Sequence, residues 1–359
     1  MISIRGLQKS FRAYQGRVDA LRKIDLEVRE GEFCVLLGPS GCGKTTTLRC
    51  VAGLERPDAG EIEIGGALVN APARGIFQPA ERRKLGMVFQ SYAIWPHMNV
   101  FQNVAFPLTQ GRKHHTKAEV SDKVRNALKR VQLDGLEDRP ATDLSGGQQQ
   151  RVAMARAMVT EPKILLMDEP LSNLDARLRE QMRVELKKIT KSIGVTTLYV
   201  THDQAEALSL GDKVCVMNHG EILQTADPVE VYARPANLFV AQFVGEMNFM
   251  NGSLTGPGRV ECAVGNVDVA VPNGLMVGSS VTLAIRPEHV LLSGTNANSG
   301  SVRGKVTSKN YLGDSALLEI EVNGATVLVK LAGDCALAVG EETTVELPAH
   351  RWHVFPERH

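Results

Sequence analysis

The stretch GPSGCGKT at residues 38–45 follows the apolar run CVLL and leads into the helical pattern TTTLRCVAG. It has the form GxxxxGK[ST], whose glycines let the backbone wrap closely around an anion at the start of a helix. Lys44 is placed to reach the β- and γ-phosphates of a nucleotide, and the Thr45 hydroxyl to ligate Mg²⁺. The alternative, a chance glycine-rich turn, does not explain the strand and helix on either side. The pattern therefore predicts a nucleotide-phosphate site on an α/β scaffold.

An apolar strand that ends in two acids is the second feature. Residues Ile164–Glu169 read ILLMDE. An acid at the end of such a strand suits the carboxylate on the Mg²⁺ side of a phosphate-loop ATPase, here Asp168. The neighbouring Glu169 is placed to polarise an attacking water. Alone, the pair could be two solvated acids at a strand end, but beside residues 38–45 it predicts metal binding and water activation.

A second helix start suited to an anion lies about 100 residues after the first. Residues 144–151 read LSGGQQQR and lead into the helical run RVAMARAMV. Ser145 is a favourable N-cap, and the glycines leave backbone N–H groups open. A single ATP rarely needs both helix starts from one chain, so we expect ATP to lie between two copies. Lys44 of one copy would hold it, and Ser145 and Gly147 of the other would cover it, in a two-fold interface with two equivalent sites.

The pattern of predicted strands and helices changes near Gly245. Upstream, apolar strand candidates alternate with helical stretches, which indicates an α/β unit with a largely parallel sheet. The pairs are Phe33–Leu37 with Lys44–Ala52, Ile164–Met167 with Leu174–Ile193, and Thr197–Val200 with Gln204–Leu210. Downstream, short β-rich runs between Gly and Asn turns indicate a small all-β barrel or sandwich. The runs are Val267–Val271, Val281–Ile285, Ala316–Val322, Thr326–Leu331 and Thr343–Leu347. We therefore expect domains at 1–240, with a helical part at about 91–160, and at 241–359.

Composition excludes several classes of protein. The 359 residues include 41 Lys+Arg and 40 Asp+Glu, and this net charge of +1 argues against a global basic field for nucleic acid. Charge is divided unevenly: residues 1–245 hold 33 basic and 28 acidic residues (+5), and residues 246–359 hold 8 and 12 (−4). The six cysteines form no CxxC pair or zinc spacing, so we expect reduced thiols. The apolar runs are far shorter than the roughly 18 residues of a membrane span.

Together these motifs resemble those of the ATP-binding subunits of ABC importers, in particular the maltose, spermidine/putrescine and ferric-iron types. The resemblance covers essentially the whole chain, because LGMVFQ, SNLD and YVTHDQAEA accompany the three motifs above in the expected order. It implies an α/β phosphate-loop ATPase domain with a helical subdomain, followed by a small all-β regulatory domain similar to an oligonucleotide-binding barrel. Arg286-Pro287-Glu288 matches a short motif of that second domain.

The resemblance assigns roles to individual residues, with ATP and Mg²⁺ as the bound species. It implies a catalytic set of Glu169, His202, Gln90 and Lys44, and metal contacts by Thr45, Gln90 and Asp168. Tyr14, 30 residues before Lys44, fits an aromatic that stacks on adenine, although surface packing is the alternative. The implied nucleotide-binding residues are Tyr14, Gly38, Ser40, Gly41, Cys42, Gly43, Lys44, Thr45, Thr46, Ser145, Gly147, Gln148 and Asp175.

The same resemblance implies partners and a location. These are a second copy of the chain in a head-to-tail dimer, two transmembrane permease subunits and, indirectly, a solute-binding protein outside the cell. The chain would then lie peripherally at the cytoplasmic face of the membrane. Tyr92, Trp95, Phe101 and Phe106 follow Gln90 and would suit a permease helix, the alternative being an ordinary subdomain core. The acidic second domain has few aromatics, which favours dimer support or regulator docking over nucleic acid.

Other functions stay open at this point. One is a non-transport ABC ATPase, although the chain has one cassette, and about 100 residues without sustained heptads separate its first two motifs. Another is an interaction protein whose β domain sequesters a regulator. The cargo is read only from the wording of the motifs, which is closer to ferric-iron and polyamine importers than to sugar importers. Sugar, sulfate and phosphonate remain alternatives.

Overall fold

In a computed structural model, the chain forms two compact units, Met1–Val231 and Tyr232–His359. The residues that it describes are 1–13, 16–111, 114–272, 274–293 and 301–357. Within these ranges no helix is both long enough and apolar enough to cross a membrane.

The first unit alternates strands and helices. Its strands are β1 (Ile2–Ala13), β2 (Gly16–Val28), β3 (Phe33–Leu37), β4 (Ala59–Ile64), β5 (Ala67–Ala71), β6 (Ile76–Phe77), β7 (Gly86–Val88), β8 (Ile164–Asp168), β9 (Thr196–Thr201), β10 (Lys213–Asn218) and β11 (Glu221–Ala226). Its helices are α1 (Lys44–Ala52), α2 (Val100–Thr109), α3 (Lys117–Arg130), α4 (Gly146–Met158), α5 (Ala176–Ile193) and α6 (Gln204–Leu210), and α7 (Pro228–Ala233) follows at the end of the unit.

A six-stranded sheet in the order β11-β10-β3-β9-β8-β7 forms the centre of this unit. All neighbours from β10 to β7 are parallel, and β11 joins β10 in antiparallel fashion at one edge. Strands β3, β8 and β9 are buried at every position, as expected of parallel strands covered on both faces. The predicted strand Phe33–Leu37 and helix Lys44–Ala52 are confirmed with the same bounds.

A second sheet, in the order β2-β1-β4-β5-β6, is antiparallel throughout. Its apolar face shares one core with the central sheet and with α1. Ile4 of β1, Leu48 of α1 and Leu198 of β9 belong to this cluster and are at most 2% exposed. Helix α1 is thereby fixed between two sheets, which holds the loop in front of it in place.

Helices α2, α3 and α4 lie in the predicted helical part and begin in the same way. Asn99, Thr116 and Ser145 each accept a hydrogen bond from the third helical N–H, and the side chain at that third position bonds back to the cap. Each capping box satisfies two backbone N–H groups that the helix leaves without partners. Ser145 therefore caps α4, as its sequence predicts.

The second unit is almost entirely β. After helix α8 (Leu238–Phe243), two antiparallel sheets follow, in the orders β14-β13-β12-β15-β21 and β16-β20-β17-β18-β19. The strands are β12 (Asn248–Gly256), β13 (Arg259–Cys262), β14 (Gly265–Asp268), β15 (Ser280–Ile285), β16 (Leu291–Ser293), β17 (Ser301–Tyr311), β18 (Ser315–Val322), β19 (Ala325–Ala332), β20 (Glu342–Glu346) and β21 (His353–Pro356). Residues of both sheets, such as Leu283 and Ile320, form one buried apolar cluster.

The strand predicted at Val267–Val271 is wrong in its bounds, because β14 ends at Asp268. Its neighbour β13 begins at Arg259, which pairs with Asp268, so the ladder between these two strands ends there. The amide of Val269 instead donates to the Gly258 carbonyl at 2.8 Å. The ladder with β13 therefore ends at the Arg259–Asp268 pair and not at the end of the apolar run.

The boundary between the units lies earlier than the predicted 240/241, directly after Val231. Arg286 explains the difference. Its guanidinium is 1% exposed and donates to the carbonyls of Tyr232 and Val244, at 2.5 and 2.9 Å. It also lies over the Tyr232 ring, 3.5 Å from the centroid. These contacts join the segment from Tyr232 onward to the β unit.

Candidate functional site

Four neighbouring parallel strands end at one edge of the central sheet, and each is followed by a predicted site residue. Strand β3 leads into residues 38–45, β9 into His202 and β8 into Glu169, while Gln90 stands two residues after β7. The register pairs Val88 of β7 with Met167 of β8, so Gln90 and Glu169 lie at the same level. The carboxyl edge of a parallel sheet is where α/β proteins bind ligands.

The phosphate loop is closely packed against its surroundings. A Cβ on Gly38 would lie 2.4 Å from the Met217 carbonyl oxygen, and one on Gly43 would lie 2.6 Å from the Ala20 carbonyl oxygen. Gly43 also has φ 107°, a backbone conformation that favours glycine. The two glycines are therefore required by close packing, and at Gly43 by backbone angle as well.

Lys44 is buried inside this loop. Its Nζ donates to the carbonyls of Gly38 and Pro39, at 2.8 and 2.9 Å, and the residue is only 4% exposed. The ammonium is therefore desolvated and already oriented by its own loop. Bound phosphate oxygens can replace these carbonyls as hydrogen-bond acceptors. The Lys44 side chain would lose little further conformational entropy, because it is already ordered.

Thr45 and Asp168, the predicted metal ligands, are brought together. Thr45 Oγ1 donates to Asp168 Oδ1 at 2.8 Å. Burial raises the pKa of the Asp168 carboxyl above its usual value, and the Thr45 hydrogen bond opposes this. A hydroxyl and one carboxylate are the hard oxygen ligands that Mg²⁺ uses beside substrate phosphates. The described residues contain no cluster of three or more His, Cys, Asp or Glu that could hold a metal, and a Mg²⁺ site completed by phosphates needs none.

Glu169 is the point where residues that follow β7 and β9 meet the end of β8. Its Oε2 lies 3.1 Å from His202 Nδ1 and 3.5 Å from Gln90 Nε2. Glu169 has a φ of 43°, and its amide donates to the Val200 carbonyl on β9. A left-handed conformation is uncommon for a residue other than glycine and often marks a functional position. The carboxylate is thus held at the sheet edge by groups from β7 and β9.

The N-terminus of α4, formed by residues 145–148 and named the head of α4 from here on, is arranged differently from this edge of the sheet. Ser145 and Gln148 bond to each other in the capping box, and both groups are partly open to solvent. Gly147 is buried against Leu178 of α5: a Cβ there would lie 3.1 Å from that side chain. Asp175 caps α5 by accepting from the Leu178 amide at 3.0 Å. The hydrogen bonds of Ser145, Gln148 and Asp175 are therefore local.

The other residues predicted to bind the nucleotide phosphates differ in how far they are exposed. Ser40 and Gly41 are exposed, Thr46 is half-buried, and Cys42 is 3% exposed. Burial raises the pKa of the Cys42 thiol, and the charge of Lys44 partly offsets this. Tyr14, the predicted adenine-stacking residue, lies outside the described residues.

The aromatic segment after Gln90 divides between core and surface. Tyr92 is 6% exposed, so for this residue the alternative of an ordinary subdomain core holds. It adopts φ 60°, and Arg156 of α4 donates to its carbonyl at 2.6 Å. Trp95 packs against Phe106 with the rings tilted by 33° and their centroids 4.1 Å apart, and both are half-buried. Phe101 and Phe106 line a groove of about 620 Å³.

Some residues of this site were not predicted individually. Asn173 donates to the Gln90 carbonyl at 2.9 Å, which joins the SNLD segment to β7. Glu206 is 3% exposed and accepts from Tyr199 and Thr201. Burial raises the pKa of Glu206, and these two hydrogen bonds oppose that shift. The only sequence signal was the place of Asn173 in SNLD and that of Glu206 in LYVTHDQAEA.

The fold and the site together define an ATP-hydrolysing domain of the phosphate-loop class. The family profile described as ABC transporter matches residues 21–172, and that of the TOBE domain matches residues 283–355. A dimeric ATP-binding cassette in a post-hydrolysis state with ADP and phosphate is similar in structure. It has a TM-score of 0.55 and 30% identity over 64% of this chain and 99% of that one.

Curated relatives match over nearly the whole length. The trehalose/maltose import ATP-binding protein of Thermococcus litoralis is 44% identical over 95% of this chain and 94% of its own. The spermidine/putrescine import ATP-binding protein of Pseudomonas fluorescens is 41% identical (97% and 96%). The sulfate/thiosulfate import ATP-binding protein of Chromobacterium violaceum is 43% identical (99% and 95%). The chain belongs to the import ATP-binding subunits of ABC transporters, and it hydrolyses ATP to energise transport.

Proposed function

We propose that two copies of this chain form a head-to-tail dimer that encloses two Mg-ATP and drives solute uptake through a separate permease. The observation that carries the proposal is the meeting of Glu169, His202 and Gln90 at the strand edge, beside the Thr45–Asp168 pair. These groups supply phosphate binding, metal ligation and water activation from one chain. The head of α4 supplies the second anion-binding helix start, which a partner's ATP would occupy.

Hydrolysis follows from the geometry of the strand edge. Lys44 would exchange its two loop carbonyls for oxygens of the β- and γ-phosphates. Glu169 would accept the proton of a water that attacks the γ-phosphorus as the bond to the bridging oxygen breaks and ADP leaves, while His202 keeps the carboxylate oriented and supports the phosphate. Gln90 reaches the same carboxylate and would sense whether the γ-phosphate is present. Thr45, Asp168 and Gln90 would hold Mg²⁺, which supplies charge neutralisation on the phosphates.

Contact with the permease is proposed for the segment that follows Gln90. Phe101 and Phe106 line the 620 Å³ groove with Met98 and Val120, an apolar surface of the kind that accepts an amphipathic helix. This groove and Gln90 belong to one continuous segment of the chain. A change in the position of Gln90 on loss of the γ-phosphate would therefore be transmitted to the permease through this segment. The chain would then work at the cytoplasmic face of the membrane as a peripheral subunit, supplied by an external solute-binding protein.

The second unit is proposed as a regulatory or dimer-supporting domain. Its acidic balance of 8 basic and 12 acidic residues beyond residue 245 does not favour nucleic acid. The proposed domains, 1–240 and 241–359, differ from the two structural units only in residues 232–240, which Arg286 joins to the second unit through the Tyr232 carbonyl. The import relatives do not favour a non-transport ATPase.

The cargo proposed from the motif wording is ferric iron or a polyamine. The 41%-identical relative is named for spermidine/putrescine, which supports the polyamine; none of the three relatives is named for ferric iron. Relatives named for trehalose/maltose (44% identical) and sulfate/thiosulfate (43% identical) are at least as similar to this chain, and phosphonate is a further alternative. Thermal-shift screening of the binding protein encoded beside this gene, with these compounds, tests the choice. A shift with sugars alone would contradict it.

Reconstitution tests the transport function as a whole. ATPase turnover of the chain should rise several-fold when the permease and the loaded binding protein are present in vesicles, because docking favours the closed dimer. A rate that is indifferent to both partners would favour a non-transport ATPase instead. The chain with Glu169→Gln is the matched control, since it should bind the permease without turnover.

A further inference from the structure

Arg179 stands at an electrostatically unfavourable place on α5. The helix begins at Ala176, so this cation lies near the positive end of the helix dipole. Its side chain is nevertheless only 33% exposed and does not extend into solvent. Nη2 donates to the Leu174 carbonyl at 2.9 Å, and Nη1 lies 3.5 Å from Asp203 Oδ2. A side chain at this position makes two specific contacts to two different loops.

The first of these loops joins Glu169 to α5. Ser172 Oγ donates to the Glu169 carbonyl at 2.9 Å, and the Leu174 amide donates to the Leu171 carbonyl at 3.2 Å. Asp175 then caps α5. The backbone between Glu169 and Leu174 is therefore a short chain of local turns, and Arg179 holds its far end.

The second loop carries His202. One oxygen of Asp203 accepts from the Glu206 amide and caps α6, and the other faces Arg179. The Asp203 amide donates to Thr201 Oγ1 at 3.0 Å, and Thr201 in turn donates to the buried Glu206 carboxylate at 2.7 Å. The loop is thus fixed on one side to α6 and on the other side to α5.

These contacts form a closed ring. It runs from the Glu169 side chain to His202, along the backbone to Asp203, through Arg179 to Leu174, and back along the backbone to Glu169. A cavity of about 30 Å³, lined by Glu169, Arg179, His202 and Glu206 among others, lies within it. That volume holds roughly one water molecule, so little free space separates the members.

We propose that Arg179 is a positioning residue for ATP hydrolysis: it joins the Leu174 end of the Glu169 loop to Asp203 and keeps His202 at its hydrogen-bond distance from Glu169. The inference rests on the proposed catalytic roles of Glu169 and His202. Arg179 touches neither substrate nor metal. Its removal therefore affects the chemical step and leaves nucleotide binding at the phosphate loop unchanged.

The test compares purified full-length variants by steady-state ATPase kinetics and by binding of a fluorescent ATP analogue. Arg179→Met should lower kcat about tenfold or more, because a small displacement of catalytic groups is costly, while the KM and the analogue affinity change less than twofold. Arg179→Lys should recover part of kcat, since an ammonium can still bind one of the two oxygens. Arg183→Met, one turn further along the helix, should leave both quantities at wild-type values.

A double-mutant cycle separates positioning from general destabilisation. Asp203→Asn keeps an oxygen that can cap α6 but removes the charge that faces Arg179. The loss of kcat in the double variant should be clearly smaller than the product of the two single losses. Multiplicative losses, an equal fall in kcat for Arg183→Met, or a rise in KM at unchanged kcat would each overturn the proposal. A wild-type chain without ATPase activity would instead overturn the proposed function.

Discussion

The strand edge and the head of α4 both present groups suited to phosphate, but they differ in the hydrogen-bond partners that those groups already have. At the strand edge, Lys44, Thr45 and Glu169 are bonded to other residues of the site. At the head of α4, Ser145 and Gln148 are bonded to each other and stand partly open to solvent. The first region is pre-organised within one chain, and the second is an open surface whose hydrogen bonds are local.

This difference is what the proposed dimer would require. A chain that binds phosphates with one region and exposes an anion-binding helix in another would complete each ATP site only by association. ATP would then link the two copies directly, so the state of its γ-phosphate would control whether the dimer is closed.

The largest expected effect comes from removing the acid at the centre of the strand edge. Glu169→Gln should lower turnover by about 10²–10⁴-fold, because an amide cannot accept the proton of the attacking water. ATP binding should persist, and the dimer should accumulate in its closed form on size-exclusion chromatography. Unchanged steady-state hydrolysis contradicts the role of Glu169. Glu180→Gln, an exposed acid on α5, serves as the control.

Asp168→Asn should change turnover and stability in opposite directions. Turnover with Mg-ATP should fall about tenfold or more through the weakened metal site. Because burial raises the folded-state pKa of Asp168, the neutral carboxyl stabilises the fold, and this contribution is lost as pH rises through that pKa. The apo variant should therefore melt above wild type at about pH 7.5, and the difference should shrink towards about pH 4.

Melting curves at the two pH values check this, with exposed Asp134→Asn as the control. If the Asp168→Asn variant melts below wild type at about pH 7.5, the charged carboxylate supports the apo fold and the expectation is wrong.

The smallest effect concerns thiol reactivity in the two regions. Cys42 is buried, and its pKa is raised by that burial, so its modification by maleimide at about pH 7.5 should be slow. A cysteine at the exposed position of Ser145 should react at least about tenfold faster. Peptide mapping by mass spectrometry resolves the two sites, and Cys262 and Cys335, which are half-buried, provide internal references. Equal rates would contradict the difference in exposure between the two regions.

The sequence predicted the parts of the site that lie within continuous motifs. The loop at residues 38–45, the α1 helix and the Thr45–Asp168 pair all followed from local patterns and from the carboxyl edge of a parallel sheet. The contacts of Arg179 and Arg156 did not follow, because their partners Asp203 and Ala93 lie in loops that reach these side chains only through the packing of α5 and α4. The choice between core and surface for Tyr92 did not follow either, because it depends on how the segment after Gln90 packs against α4.

Mixing two inactive variants tests the shared site most directly. Lys44→Ala removes the phosphate-binding ammonium, and Ser145→Arg places a bulky cation at the head of α4. Each homodimer then has two damaged ATP sites. A mixed dimer has one site in which both Lys44 and Ser145 are replaced and one site in which both are intact. We expect the mixture to regain turnover, to roughly a quarter of wild type if the sites act independently. A mixture no more active than the sum of its components would contradict an ATP site shared between two copies.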